Sequence, residues 1–251
     1  MTHGQDKQNH DNSASTAGLN TTVAVDVVLL TVDAGALWVT LYQRIREPHI
    51  GGYSLPGGLV RSDESLDEAA HRVLAAKVGI SGVFLEQLYT FGDIHRDPRS
   101  RTITVAYYAL VDANRFRMPP TDPTATDIPK VIAARIEVPW SGETGGPVDA
   151  VGPDGEPLEL VLDHADILGL AIKRLRGKLD YTPVGFQLLP EEFTLRELQT
   201  IHEVIRGEPL NKDSFRRRML ASHELEATGA HERNVAYRPA ELYRFCRRSA
   251  T

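Results

Sequence analysis

The chain has 251 residues, 41% of them apolar and 25% charged, which is enough for one large domain or two small ones around a sizeable core. Its 28 Lys+Arg against 34 Asp+Glu leave a net charge of −6, so there is no global basic signature and any nucleic-acid surface must be local. One cysteine, Cys246, excludes an internal disulfide and a cysteine-rich zinc site, as suits a reducing cytoplasm, and no apolar run approaches the ~20 residues of a membrane span.

The first 21 residues are polar, rich in Asn, Ser and Gly, and lack the apolar core of a signal peptide; they read as disordered. "TTVAVDVVLLTV" and "ALWVTLYQRI", separated by "DAGA", read as a hairpin of buried strands. "SLDEAAHRVLAAKVGI" switches to helical spacing, with Ser65 and Glu68 forming a capping box and Gly79 ending the helix. "VFLEQLYTFGD", "RTITVAYYALV" and "VIAARIEVPW" are further strands, followed by a Gly/Pro-rich connection, "SGETGGPVDAVGPDGEP". "LDHADILGLAIKRLRGKL" is a helix with Asp163 as its candidate N-cap and basic residues in its last turn.

A composition break follows. "YTPVGFQLLPEEFT" leads into "LRELQTIHEVIRG" and "NKDSFRRRMLAS", two short helices joined by "GEPL", and then a hairpin with a charged tip, "EATGAHERNVAYRPAELYRF". The chain therefore divides into an α/β domain over residues 22–180 and a helix-helix-hairpin domain over 181–251. The second part holds 11 Lys+Arg and 10 Asp+Glu, net +1, which leaves −7 on the rest.

The spacing from Gly58 through Glu64, Arg72, Leu74, Gly79 and Ile80, preceded by "SLPGG", resembles the Nudix hydrolase signature. The resemblance implies a Nudix-like α/β/α sandwich with a mixed sheet and a cleft shaped for a nucleoside diphosphate. The three later glutamates of the signature fall on Val73, Ala76 and Lys77. Residues three and four apart share a helix face, so these positions are expected to point together into the cleft. Mg²⁺ needs hard oxygen ligands, which this cluster lacks, whereas Lys77 suits a phosphate. No metal site, catalytic residue or bound cofactor is therefore expected, and Glu64 is expected to pair with Arg72. Candidate ligand contacts are Arg44 and Arg46 at a strand end, Gly57 and Gly58 of "SLPGG", Arg61, Lys77 and Arg96, since guanidinium groups can pair a diphosphate bidentately. Tyr53, Phe91 and Tyr107 are candidates for stacking on a base. His164 has no partner histidine at metal spacing and reads as structural or interfacial, and Trp140 as packing at a strand end.

In the second part, helix, short turn with Gly207 and Pro209, and a helix carrying "FRRR" fit a helix-turn-helix, with "GAHERNVAYR" as its wing. Lys212, Ser214, Arg216, Arg217 and Arg218 form the densest basic cluster, and Arg233, Arg238 and His231 lie on the wing. Phe215 and Leu220 are expected to face the core. "LLPEEFTLRELQTIHEVIRGEPLNKDSFRRRML", "RPAELYRF", "RDPRSRTITVAYYALV" and "LDHADILGLAIKRLRGKLDYTPVGFQLL" resemble the Nudix-related transcriptional regulators, the NrtR family, from about residue 22 to the end. One departure is Ser214-Phe215-Arg216 where that family often has Asn-Phe-Arg. The resemblance implies a cytoplasmic repressor of NAD-biosynthesis and salvage genes that binds ADP-ribose or a related NAD metabolite as effector. It also implies a homodimer on palindromic double-stranded operator DNA. Two rival readings are a Nudix pyrophosphatase acting on ADP-ribose or another nucleoside diphosphate derivative, and a metabolite-binding module whose basic helix docks on protein or RNA.

Overall fold

The computed structural model of the chain describes residues 21–116, 129–233 and 235–246. The tail expected to be disordered lies, apart from residue 21, outside them. Strand β1 (Thr22–Asp33) is the centre of a nine-stranded mixed sheet. Ala34 and Gly35, both at positive φ, turn it into β2 (Ala36–Gln43) with Asp33 opposite Ala36, the two-residue connection whose twist matches paired strands. Two short strands, β3 (Tyr53–Ser54) and β4 (Gly57–Leu59), add to β2 and β1. They are followed by helix α1 (Leu66–Val78) and the strands β5 (Phe84–Phe91), β6 (Thr102–Leu110) and β7 (Val131–Glu137). The sheet order is β5-β6-β1-β2-β7 and onward, and β1 with β6 is its parallel pair.

The Gly/Pro-rich connection is not wholly a loop. It supplies β8 (Asp149–Val151) and the first residue of β9 (Pro157–Leu158), with which β8 pairs. Helix α2 (His164–Lys178) then returns across the sheet. Successive side chains of β1 point to opposite faces. Val25, Val27 and Leu29 pack with Ala70, Val73 and Leu74 of α1, whereas Val28, Leu30 and Val32 pack with Ile167, Leu168 and Ile172 of α2. A strand buried on both faces has no alternation to display, and its sequence is a near-continuous apolar run. Ser65 and Glu68 do form the capping box of α1, and Gly79 caps it in the left-handed conformation. Asp163 occupies the N-cap position of α2 but makes no cap bond; its carboxylate is drawn to Arg96 instead.

A 3₁₀ turn (Pro183–Leu188) leads to α3 (Leu195–Arg206), α4 (Lys212–Ala221) and the hairpin β10 (Leu225–His231) and β11 (Glu241–Phe245). Phe193 and Tyr243 exchange backbone hydrogen bonds of 2.9 and 2.8 Å, which pins the hairpin to the start of α3. The core on the α2 side of the sheet runs on without a break into Leu198, Ile201, Ile205, Phe215 and Tyr243.

His202 on α3 sits in this second core, its ring edge-on to Phe215 at 5.1 Å and its Nδ1 without a hydrogen-bond partner among the described residues. Burial, then the charge of Arg218, holds its pKa down at about 4. The unfolded chain therefore binds a proton that the folded chain refuses. Stability from His202 is full above pH ~6.5 and is lost as pH falls toward 4, on the order of 3 kcal/mol in total. Urea unfolding at pH 7.5 and 5 should show this loss, and His202→Leu should remove the share that His202 contributes. Buried His164, shifted the same way, leaves a residual slope.

Candidate effector cleft and nucleic-acid interface

A cleft of about 440 Å³ opens where β1, β4, α1 and the first turn of α2 meet. That volume suits a small molecule. Its walls carry Arg44 from the end of β2, Lys77 from α1, Arg96, Asp97 and Arg99 from the β5–β6 connection, Asp26 from β1 and His164 from α2. Gly57 and Gly58 also line it, but they are needed for packing. A Cβ on Gly57 would lie 2.0 Å from Asp26 Oδ1, and one on Gly58 would lie 3.2 Å from Val73 Cγ2. Glycine at 57 lets β4 close on β1, whereas a side chain at 58 would require Val73 to give by a few tenths of an ångström.

The charges in the cleft are unequally engaged. Arg96 is buried; it donates two bonds of 2.8 and 2.7 Å to Asp163 and lies 3.4 Å from Asp26. Arg99 is held by Asp97 at 2.6 Å. His164 Nδ1 accepts from the Leu55 N–H at 2.8 Å, which leaves the ring proton on Nε2, 3.9 Å from Asp26 Oδ1. Burial keeps this imidazole neutral.

Arg44 donates Nε to the Pro48 carbonyl at 2.8 Å, and Lys77 lies over the Tyr42 ring at 5.0 Å. Neither meets a carboxylate among the described residues. Burial lowers the pKa of both: Arg99 depresses Arg44 further, and Arg44 and Arg72 depress Lys77 against the opposing pull of Asp26. Two poorly solvated cations facing one cavity favour an anion beside them.

The three positions that replace the signature glutamates do not converge as expected. Val73 is buried in the core, Ala76 is exposed, and among the three Lys77 alone lines the cleft. Asp26 and Asp97 are committed to arginines, and no cluster of three His, Cys, Asp or Glu side chains able to hold a metal occurs among the described residues. The donors present do not fit the divalent cation of a Nudix enzyme. Glu64 pairs with Arg72 as expected, through a 2.7 Å bond, and this bond holds its carboxyl down at about 2.

Arg46 and Arg61 are exposed and outside the cleft. The chain leaves the β2 direction after Gln43, and the Arg44 carbonyl accepts from Gly51 N–H, so Arg44 and Arg46 no longer share a strand face. Tyr53, Phe91 and Tyr107 do not line the cleft either; Tyr107 is buried and donates to Asp67 at 2.7 Å. Trp140 stacks under Arg176 at 4.7 Å. Asp26, Asp97, Arg99 and the role of Asp163 were not read from the sequence. A lone Asp inside the apolar run "VAVDVV" was the available signal, since buried carboxylates are kept only when paired.

In the second part, Asn211 caps α4 by accepting from Ser214 N–H at 3.0 Å, and Phe215 plugs the core. Leu220 does not face inward; it is 42% exposed. Five residues turn a helix about 140° beyond Phe215, and the inward partner is Met219, one turn on. The outward face is centred near Arg217, which has no partner among the described residues; Asp213 and Ser214 lie nearest to it around the helix, and Arg216 lies about 100° away on the side of Lys212. Lys212, Arg216 and Arg238 line one hollow with the wing, and Arg233 and His231 are exposed on it. Arg218 is turned away, onto Asp180 at 3.0 Å. Among the described residues no helix is long and apolar enough to cross a membrane.

Comparisons with known proteins agree with this architecture. The model of the NUDIX domain matches residues 20–131, and that of the NrtR DNA-binding winged helix domain matches residues 185–245. The ADPR responsive transcriptional repressor NtrR of Acinetobacter baylyi is 36% identical over 225 residues, 89% of this chain and 81% of its own. The structure of Shewanella oneidensis NrtR complexed with a 27mer DNA superposes with a TM-score of 0.68 at 32% identity, covering 89% of this chain and 93% of that one. A MutT/nudix family protein from Enterococcus faecalis shares the fold, with a TM-score of 0.71 at 24% identity over 90% and 88% of the two chains. The chain belongs to the NrtR family, in which a Nudix mixed-sheet domain precedes a DNA-binding winged helix.

Proposed function

We propose that the protein is a ligand-responsive transcriptional repressor, with residues 22–180 as sensor and 181–251 as DNA-binding part. The cleft takes ADP-ribose or a related NAD metabolite, and the winged helix binds palindromic operator DNA as a homodimer at genes of NAD biosynthesis and salvage. The observation that carries the sensor half is the pair Arg44 and Lys77, cations without a carboxylate partner among the described residues, in a cleft where a Nudix enzyme places acids. Lys77 supplies the positive charge that a metal would bring to a diphosphate, and it cannot activate water. The site is therefore one that binds without cleaving. A hydrolase reading would need a free carboxylate cluster in the cleft, where Asp26 and Asp97 are instead paired with arginines. The support for the DNA half is the outward face of α4 together with the relative named a repressor and the relative solved on a 27mer DNA.

The test is selection of genomic fragments by the purified protein with and without ADP-ribose. Recovery of a palindrome that ADP-ribose disperses is expected. Enrichment of no sequence, with ADP-ribose bound by the same protein, would reduce the protein to a metabolite-binding module.

A further inference from the structure

Helix α2 has an aspartate beyond each end, and each is held by arginine from a different site. Asp163, just before the helix, binds Arg96 of the cleft in two bonds of 2.8 and 2.7 Å. Asp180, two residues after it, is shared between Arg206 of α3 and Arg218 of α4, the latter at 3.0 Å. The 15 residues between form a rod of about 22 Å. Ile167, Leu168, Ala171, Ile172 and Leu175 on this rod are completely buried, so it moves as a unit or not at all. Its last turn is also tied to the second part. Arg176 donates Nε to the Ile205 carbonyl at 2.7 Å and Nη1 to the Gly142 carbonyl at 2.7 Å.

Arg218 lies one turn from Phe215, its guanidinium 5.6 Å from that ring, on the side of α4 that faces Asp180. We propose that Arg218 is a positioning residue, not a reader of DNA: through Asp180 it sets the angle of α4 against α2, and α2 carries the state of Arg96 in the cleft to that contact. The functional consequence rests on the reading given above. A diphosphate seated against Arg44 and Lys77 also faces Arg96, and there it competes with Asp163. Release of Asp163 frees the entry of α2, which is otherwise held by the Leu55-to-His164 bond. The far end then shifts at Asp180.

The side chains of Arg218 and Asp180 are 46% and 33% exposed, so water screens their pair and its removal should change local opening by only about two- to five-fold. Hydrogen exchange on the full chain, without DNA or ligand, reads this directly. Asp163→Asn should speed exchange of the α4 amides by that factor, although Asp163 touches nothing in α4. Asp180→Asn, a surface change that leaves the core intact, should speed exchange at Ile167 and the next turn of α2. Asp180→Glu should restore protection at both ends. Loosening confined to the substituted end in the Asp180→Asn protein would overturn the proposal, whether or not Asp163→Asn folds. DNA binding gives a second readout. Equal losses in Arg218→Gln and Asp180→Asn mark a positioning role, whereas loss in Arg218→Gln alone marks a reader. A parent protein that ignores ADP-ribose would sink the sensor reading while leaving the exchange result to stand.

Discussion

Replacing Lys77 by alanine will weaken ADP-ribose binding by about 10- to 150-fold, and replacing it by glutamate will abolish it. The magnitude follows from the loss of one charge-assisted hydrogen bond in a poorly hydrated site, about 1.5–3 kcal/mol. Glutamate adds repulsion of the phosphates. The same lysine sets the pH dependence. Burial lowers its pKa from the usual 10.5, and an anion beside it raises the value again. Affinity is then full below the free-state pKa and falls as pH rises through it, so binding should weaken on the alkaline side of neutrality and not on the acid side. Because the ammonium takes the place of a metal, binding should be unchanged by EDTA and no Mg²⁺-dependent cleavage of ADP-ribose should follow. Isothermal titration of parent and variants checks each point. Undiminished affinity in Lys77→Glu would remove Lys77 from the site, and affinity lost on chelation would restore the metal.

Replacing Arg217 by alanine will cost operator binding about 1–3 kcal/mol and relax preference at one base pair. Arg217 sits at the middle of the outward face of α4, opposite Phe215, and no partner holds its guanidinium among the described residues. Lys212, beside the capped N-terminus, suits a phosphate; its loss should weaken all sequences alike and reduce the salt dependence by about one unit of slope. Anisotropy titrations of operator and random DNA over a salt range separate the two behaviours. A loss in Arg217→Ala that is equal on both DNAs would make it a backbone contact.

Much of the fold was legible because its signals are local. "SLDE" writes the capping box of α1, and "DAGA" writes the turn between β1 and β2. "TLRE" writes an equally good box at Thr194 and Glu197, which could have dated the start of α3 to the residue. Strands of two residues, such as β3 and β9, are too short to show any period. The parallel pairing of β1 with β6 leaves no trace in either segment. In the cleft, Gly57, Gly58 and Lys77 were fixed by the spacing of one loop and helix. Asp26, Arg96 and Asp163 were not grouped because they meet across 70 and 67 positions of chain. For the same reason Asp163 read as a helix cap: a local partner was visible and the distant arginine was not. Arg46 was assigned by proximity in sequence to Arg44, which the turn after Gln43 breaks.

The central claim is that one molecule couples the cleft to the winged helix. A ligand moves such an equilibrium only by preferring one state, and the preference is reciprocal. Operator affinity measured by anisotropy with and without saturating ADP-ribose, and ADP-ribose affinity measured by calorimetry with and without saturating operator, should change by the same factor, within about 5- to 150-fold. Binding of both ligands with each affinity unchanged by the other would contradict the account.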